Sequence, residues 1–84
     1  MRKLTEQDLT AIVGTAHKGY IIKMARVKQG NFSDSDHYGI VLGVDEEDRC
    51  VTWQFHLVDE KPEYYWGHYI DNKGDALVDY RARA

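Results

Sequence analysis

A single cysteine, a single proline and no long apolar run set the first limits on this chain of 84 residues. With Cys50 alone no internal disulfide can form, and at a strand position facing away from the core it reads as a plain thiol of a reducing compartment. No stretch approaches the roughly 18 consecutive apolar residues of a membrane span. No apolar segment follows Arg2 and Lys3, as a secretory signal would require. The expectation is a cytoplasmic protein without membrane contact.

Catalytic signatures are missing as well. No serine stands in a glycine elbow, no glycine-rich loop could cradle phosphate, and the paired carboxylates fall in loops, where their titration suits general acid work poorly. Asp34-Ser35-Asp36 carries a fragment of calcium-loop spacing without the distal glutamate in register. His37 and His56, expected to oppose each other across two strands with Cβ atoms about 5 Å apart, supply two metal ligands and no third. Cys50 is six residues from His56, about 20 Å along a strand. The chain is therefore expected to be no enzyme and to hold neither cofactor nor metal.

What is present is a small, aromatic-rich composition, 43% hydrophobic and 12% aromatic, enough for one domain spanning residues 1–84. Thr5-Glu6-Gln7-Asp8 spells a capping box, and Leu9, Ile12, Val13 and Ala16 follow at helical spacing, so a helix is expected from about residue 6 to 17, with Gly19 as its stop and His17 solvated or facing the helix dipole near its end. Tyr20 to Lys28 reads as a strand whose two parities compete for the buried side. The connector Gly30 to Asp36 is polar and turn-rich.

The strongest pattern is a hairpin. Tyr38, Ile40, Leu42 and Val44 alternate with smaller residues, and Val51, Trp53, Phe55 and Leu57 alternate with Cys50, Thr52, Gln54 and His56. A loop of two or four residues within Asp45-Glu46-Glu47-Asp48 would set Tyr38 against Phe55, Ile40 against Trp53, Leu42 against Val51 and Val44 against Arg49. After a turn marked by Pro62, Tyr64 to Ile70 is aromatic on both parities. The register that buries more bulk places Tyr64, Trp66, His68 and Ile70 with Trp53, and a shift of one residue places Tyr65, Gly67 and Tyr69 there instead. Asn72 to Asp75 then cap a helix whose Ala76, Leu77, Tyr80 and Ala84 form one stripe.

The expected fold is α+β, a four-stranded antiparallel meander with an N-terminal and a C-terminal helix (α-β-β-β-β-α), both helices on one face. The other face would then be open and carry His37, Gln54, His56, Tyr65 and Tyr69 beside Gly39 and Gly67. Those glycines serve either close approach of a ligand or accommodation of neighbouring rings. Two functions are compatible with such a face. The first is a protein-interaction module, homodimeric or with another protein, using the aromatic face or an edge strand. The second is a single-stranded nucleic-acid-binding domain with Lys23, Arg26 and Lys28 on phosphates. Residues 31–79 hold three basic groups against twelve acidic ones, which disfavours the second.

Overall fold

The computed structural model describes residues 3–28 and 37–83, so the connector that contains Asp34 and Asp36 lies outside the described residues. Its elements are α1 (Glu6–Ile12), β1 (Ala16–His17), β2 (Tyr20–Val27), β3 (Gly39–Val44), β4 (Cys50–Val58), β5 (Lys61–Ile70) and α2 (Lys73–Ala82). The strands pair antiparallel in chain order, giving two helices and a five-stranded meander where four strands were expected.

The extra strand comes from the end of α1. The capping box forms as anticipated, with the Thr5 hydroxyl accepting from the Asp8 N–H and the Asp8 carboxylate accepting from the Thr5 N–H at 2.8 Å. The helix stops at Ile12 instead of running to residue 17, because Val13 turns extended and Gly14 takes φ 94°. Lys18 and Gly19, at φ 52° and 85°, form the two-residue turn that joins β1 to β2. Positive φ at both central residues matches the twist of a tight hairpin. Gly19 thus serves a hairpin, not a helix stop.

The β3–β4 hairpin is one residue out of the expected register. Gly39 pairs with Phe55, Val41 with Trp53, Gly43 with Val51 and Val44 with Cys50. The turn is the cause. Asp45 N–H donates to Arg49 O at 2.9 Å and Asp48 N–H to Asp45 O at 3.2 Å, closing a three-residue loop in which Asp48 has φ 63°. Asp45 secures it by accepting from the N–H of Glu47 at 2.9 Å and from the N–H and Nε of Arg49, each at 2.8 Å. An odd loop exchanges the faces of one strand relative to an even one.

Both faces of the central strands consequently need cover. Leu4, Leu9 and Ile12 close over Ile22, Val41, Val51, Trp53 and Phe55 on one side. Ala76, Leu77 and Tyr80 of α2 close over Ile40, Leu42 and Cys50 on the other. The helices therefore lie on opposite faces, not on one. Cys50 sits inside the second core, where burial pushes its thiol pKa up.

Bulges resolve the two strands with ambiguous parity. In β2 the pairing shifts between Ile22 and Met24, so Tyr20, Ile22, Ala25 and Val27 serve the α1 core and Met24 the α2 core. In β5 it shifts opposite Trp53, between the Gln54–Tyr65 and Thr52–His68 pairs. Neither expected register holds throughout. Tyr64, Gly67 and Tyr69 share the α1 side with Trp53, while Tyr65, His68 and Ile70 face the α2 side. Asp59 and Glu60, both at positive φ, make the preceding turn, and Pro62 lies in β5 opposite Leu57. An edge strand tolerates its missing N–H.

Candidate functional site

The pairing of β4 with β5 brings Gln54, His56 and Tyr65 to one end of the α2 side. Lys28, just past β2, donates its N–H to Tyr38 O at 2.8 Å, just ahead of β3, and extends its ammonium over the sheet. That ammonium donates to Gln54 Oε1 at 2.8 Å, and because lysine can only donate, the amide orientation is settled. Gln54 Nε2 then donates to Tyr65 Oη at 3.1 Å, and Tyr65 Oη meets His56 Nδ1 at 3.1 Å. Burial raises the Tyr65 pKa, with the Gln54 hydrogen bond acting against it. Gln54, only 4% exposed, is thus satisfied at both ends of its amide.

Around this relay runs a row of rings. Tyr38 meets His56 edge-on at 5.9 Å, His56 meets Tyr65 at 5.3 Å, and Tyr65 meets Trp66 at 4.9 Å. The row crosses the sheet to β5, an outer strand of the meander. It ends at Trp66, which is 67% exposed and held at φ 55° in the bulge. Bulges re-aim side chains, and a non-glycine residue at positive φ carries strain.

Beside the row the face is closed by α2. Arg26 donates from Nη2 to Tyr80 O at 2.5 Å and to Arg83 O at 2.6 Å, with its guanidinium 5.1 Å from the Tyr80 ring centre. It therefore caps the carbonyl end of α2. Arg83 Nη1 donates to Thr52 O at 3.0 Å, the Thr52 hydroxyl donates to Asp79 at 2.5 Å, and His68 Nδ1 lies 2.9 Å from Asp79 Oδ2. Burial pushes the Asp79 pKa up, yet the Thr52 and His68 hydrogen bonds and the His68 and Arg83 charges together hold it below the ordinary value.

Of the five residues expected on an open face, three meet in the relay. His37 lies outside β3 and is half-buried, and the ring that meets His56 is that of Tyr38. Tyr69 is on the α1 side, against Tyr20 and Trp53. The glycine strip is not open either. A Cβ at Gly39 would collide with the Phe55 ring, and one at Gly67 would come within 2.7 Å of Trp53 Nε1, so these glycines make room for rings. The three cations part company, with Arg26 at the α2 cap, Lys28 in the relay and Lys23 exposed on β2.

Two features escaped the reading of the sequence. His17, expected in solvent or facing a helix dipole, sits on β1 with its ring 5.0 Å from Trp53 and 4.7 Å from Tyr64, and burial, then the charge of Lys18, lowers its pKa. Trp66, expected in the core by the register that buries more bulk, is exposed. The signal for its exposure was the double aromatic parity of β5, which no unbroken strand can bury on one face.

Among the described residues no three His, Cys, Asp or Glu side chains gather as a metal site, and no helix is long and apolar enough to cross a membrane. Comparison with family models, with curated proteins and with solved structures returns no match.

Proposed function

We propose that the chain is a small, non-enzymatic protein-interaction module whose contact is the outer edge of β5 together with the ring row, and that it pairs there with a second copy of itself. Trp66 carries the reading. An indole 67% exposed, at positive φ on an edge strand, costs the fold strain and leaves a large apolar surface in water, with the Tyr65 ring against it inside the domain.

The layout of β5 agrees. Its first residues, Lys61, Pro62 and Glu63, are of the kinds that keep strand edges from pairing. From Trp66 to Ile70 no lysine or proline follows, and Tyr69 is 60% exposed. Tryptophan and tyrosine are the residues that most often dominate protein contacts. A single-stranded nucleic-acid surface would draw on the same rings, yet the cations described on that side, Lys28, Arg26 and Arg83, already donate within the fold.

Sedimentation equilibrium of the purified chain from micromolar to millimolar concentration tests the proposal. A dimer that Trp66→Ala returns to monomer is expected, with emission from Trp66 protected from acrylamide in a Trp53→Phe background. A chain that stays monomeric throughout, with Trp66 freely quenched, overturns it.

A further inference from the structure

A second feature stands apart from the ring row. Between β2, the β3–β4 turn and the start of α2 lies a cleft of about 520 Å³, within the ~300–1,000 Å³ range of small-molecule sites. Ile21, Leu42, Val44 and Leu77 make it apolar, and Lys23, Lys73, Asp45, Glu46 and Asp48 stand around it. The apolar part is unfinished as core, since Ile21 is 37% exposed and Val44 and Leu77 are only half-buried.

The charges around the cleft are not equivalent. Asp45 is committed to Arg49 and to the backbone N–H groups of Glu47 and Arg49. Asp48 and Lys73 pair with each other at 3.3 Å. Glu46 is at the exposed tip of the turn. Lys23 has no ion-pair partner among the described residues, and it sits in the strand itself beside Ile21. The β2 bulge explains its place. The strand gains one residue between Ile22 and Met24, so that Met24 fills the α2 core while Lys23 stays at the cleft.

We propose that this cleft binds a small aliphatic carboxylate, with the chain over Ile21, Leu42, Val44 and Leu77 and the carboxylate at Lys23. The apolar walls supply the affinity and the lysine selects the sign of the head group. This site is independent of the β5 contact, so Trp66→Ala leaves it unchanged.

A methyl NMR titration of the full chain with octanoate, 1-octanol and octylamine, each below its aggregation concentration, decides the matter. Octanoate is expected to shift the methyl signals of Ile21, Leu42, Val44 and Leu77 saturably and to bind roughly fivefold more tightly than octanol, as one exposed ion pair permits. Lys23→Gln is expected to abolish that preference and Lys23→Arg to retain it. The proposal is overturned if octanoate and octanol bind equally to the unaltered chain, if octylamine binds as well as octanoate, if Lys23→Gln leaves the preference intact, or if none of these methyls shifts saturably.

Discussion

The two faces of β4 are buried by different physics. Toward α1, Val51, Trp53 and Phe55 are enclosed by shape, with rings seated where Gly39 and Gly67 provide no side chain. Toward α2, Thr52 and Gln54 are buried at 0% and 4% exposure, each with hydrogen-bond partners supplied by other elements. One strand thus reports to two cores at alternate residues. The first core is sensitive to volume, the second to the loss of a donor or acceptor.

The largest expected effect breaks the shape side. Trp53→Ala removes a ring that touches His17, Tyr20 and Tyr64 and should cost about 3–5 kcal/mol, read as a fall in the urea midpoint. For a domain this small that approaches the whole of its stability. On the other side, Thr52→Val keeps the volume but removes the donor to Asp79 and the acceptor for Arg83 Nη1. It should cost about 1–3 kcal/mol. If Thr52→Val matched Trp53→Ala, the distinction between the faces would not stand.

Acid should separate the faces by pH. His17, on the α1 side, has a folded pKa lowered from the ordinary 6.5, so the unfolded chain takes up its proton first. Its contribution is fully present above 6.5 and declines as pH falls through that value toward the lower folded one. Asp79, on the α2 side, is lowered from 3.8, so its contribution persists until pH falls below that value. Urea midpoints across this range should lose the mildly acidic decline in His17→Phe and part of the strongly acidic one in Asp79→Asn, the rest belonging to Asp45, which is also lowered from 3.8. A decline near neutrality that survives His17→Phe would remove His17 as its source.

The legibility of the chain follows the same division. Local pattern located both helices and four of the five strands, because apolar spacing and β-forming composition are local properties of the sequence. Register was lost at Asp45 to Arg49, where a left-handed Asp48 makes the loop odd, and aspartate accepts that conformation without announcing it as glycine would. That single residue of slip moved Ile40 and Leu42 off the face of Trp53 and created the second core that α2 covers. Gln54, His56 and Tyr65 still share a face as expected, because β4 and β5 at that end meet two residues from the expected register, a shift that keeps every side chain on its expected side. Tyr69 was misplaced because the bulge at Trp66 lies between it and Tyr65.

The smallest expected effect on stability bears most directly on function. If Trp66 belongs to a contact surface and not to the fold, Trp66→Ala should abolish association while shifting stability by less than about 1 kcal/mol, unlike Trp53→Ala, when urea midpoints are read at concentrations below that of dimer formation. Trp66→Gly should go further. Glycine accepts φ 55° without the ~1–2 kcal/mol that an L side chain bears there, and its greater freedom in the unfolded chain returns part of that gain. The glycine variant should therefore be more stable than the alanine variant by about 0.5–1 kcal/mol and equally monomeric. Urea midpoints and sedimentation of the three chains test both halves at once. A Trp66→Ala variant as unstable as Trp53→Ala would return Trp66 to the core and remove the strained indole as the reason for a contact at β5.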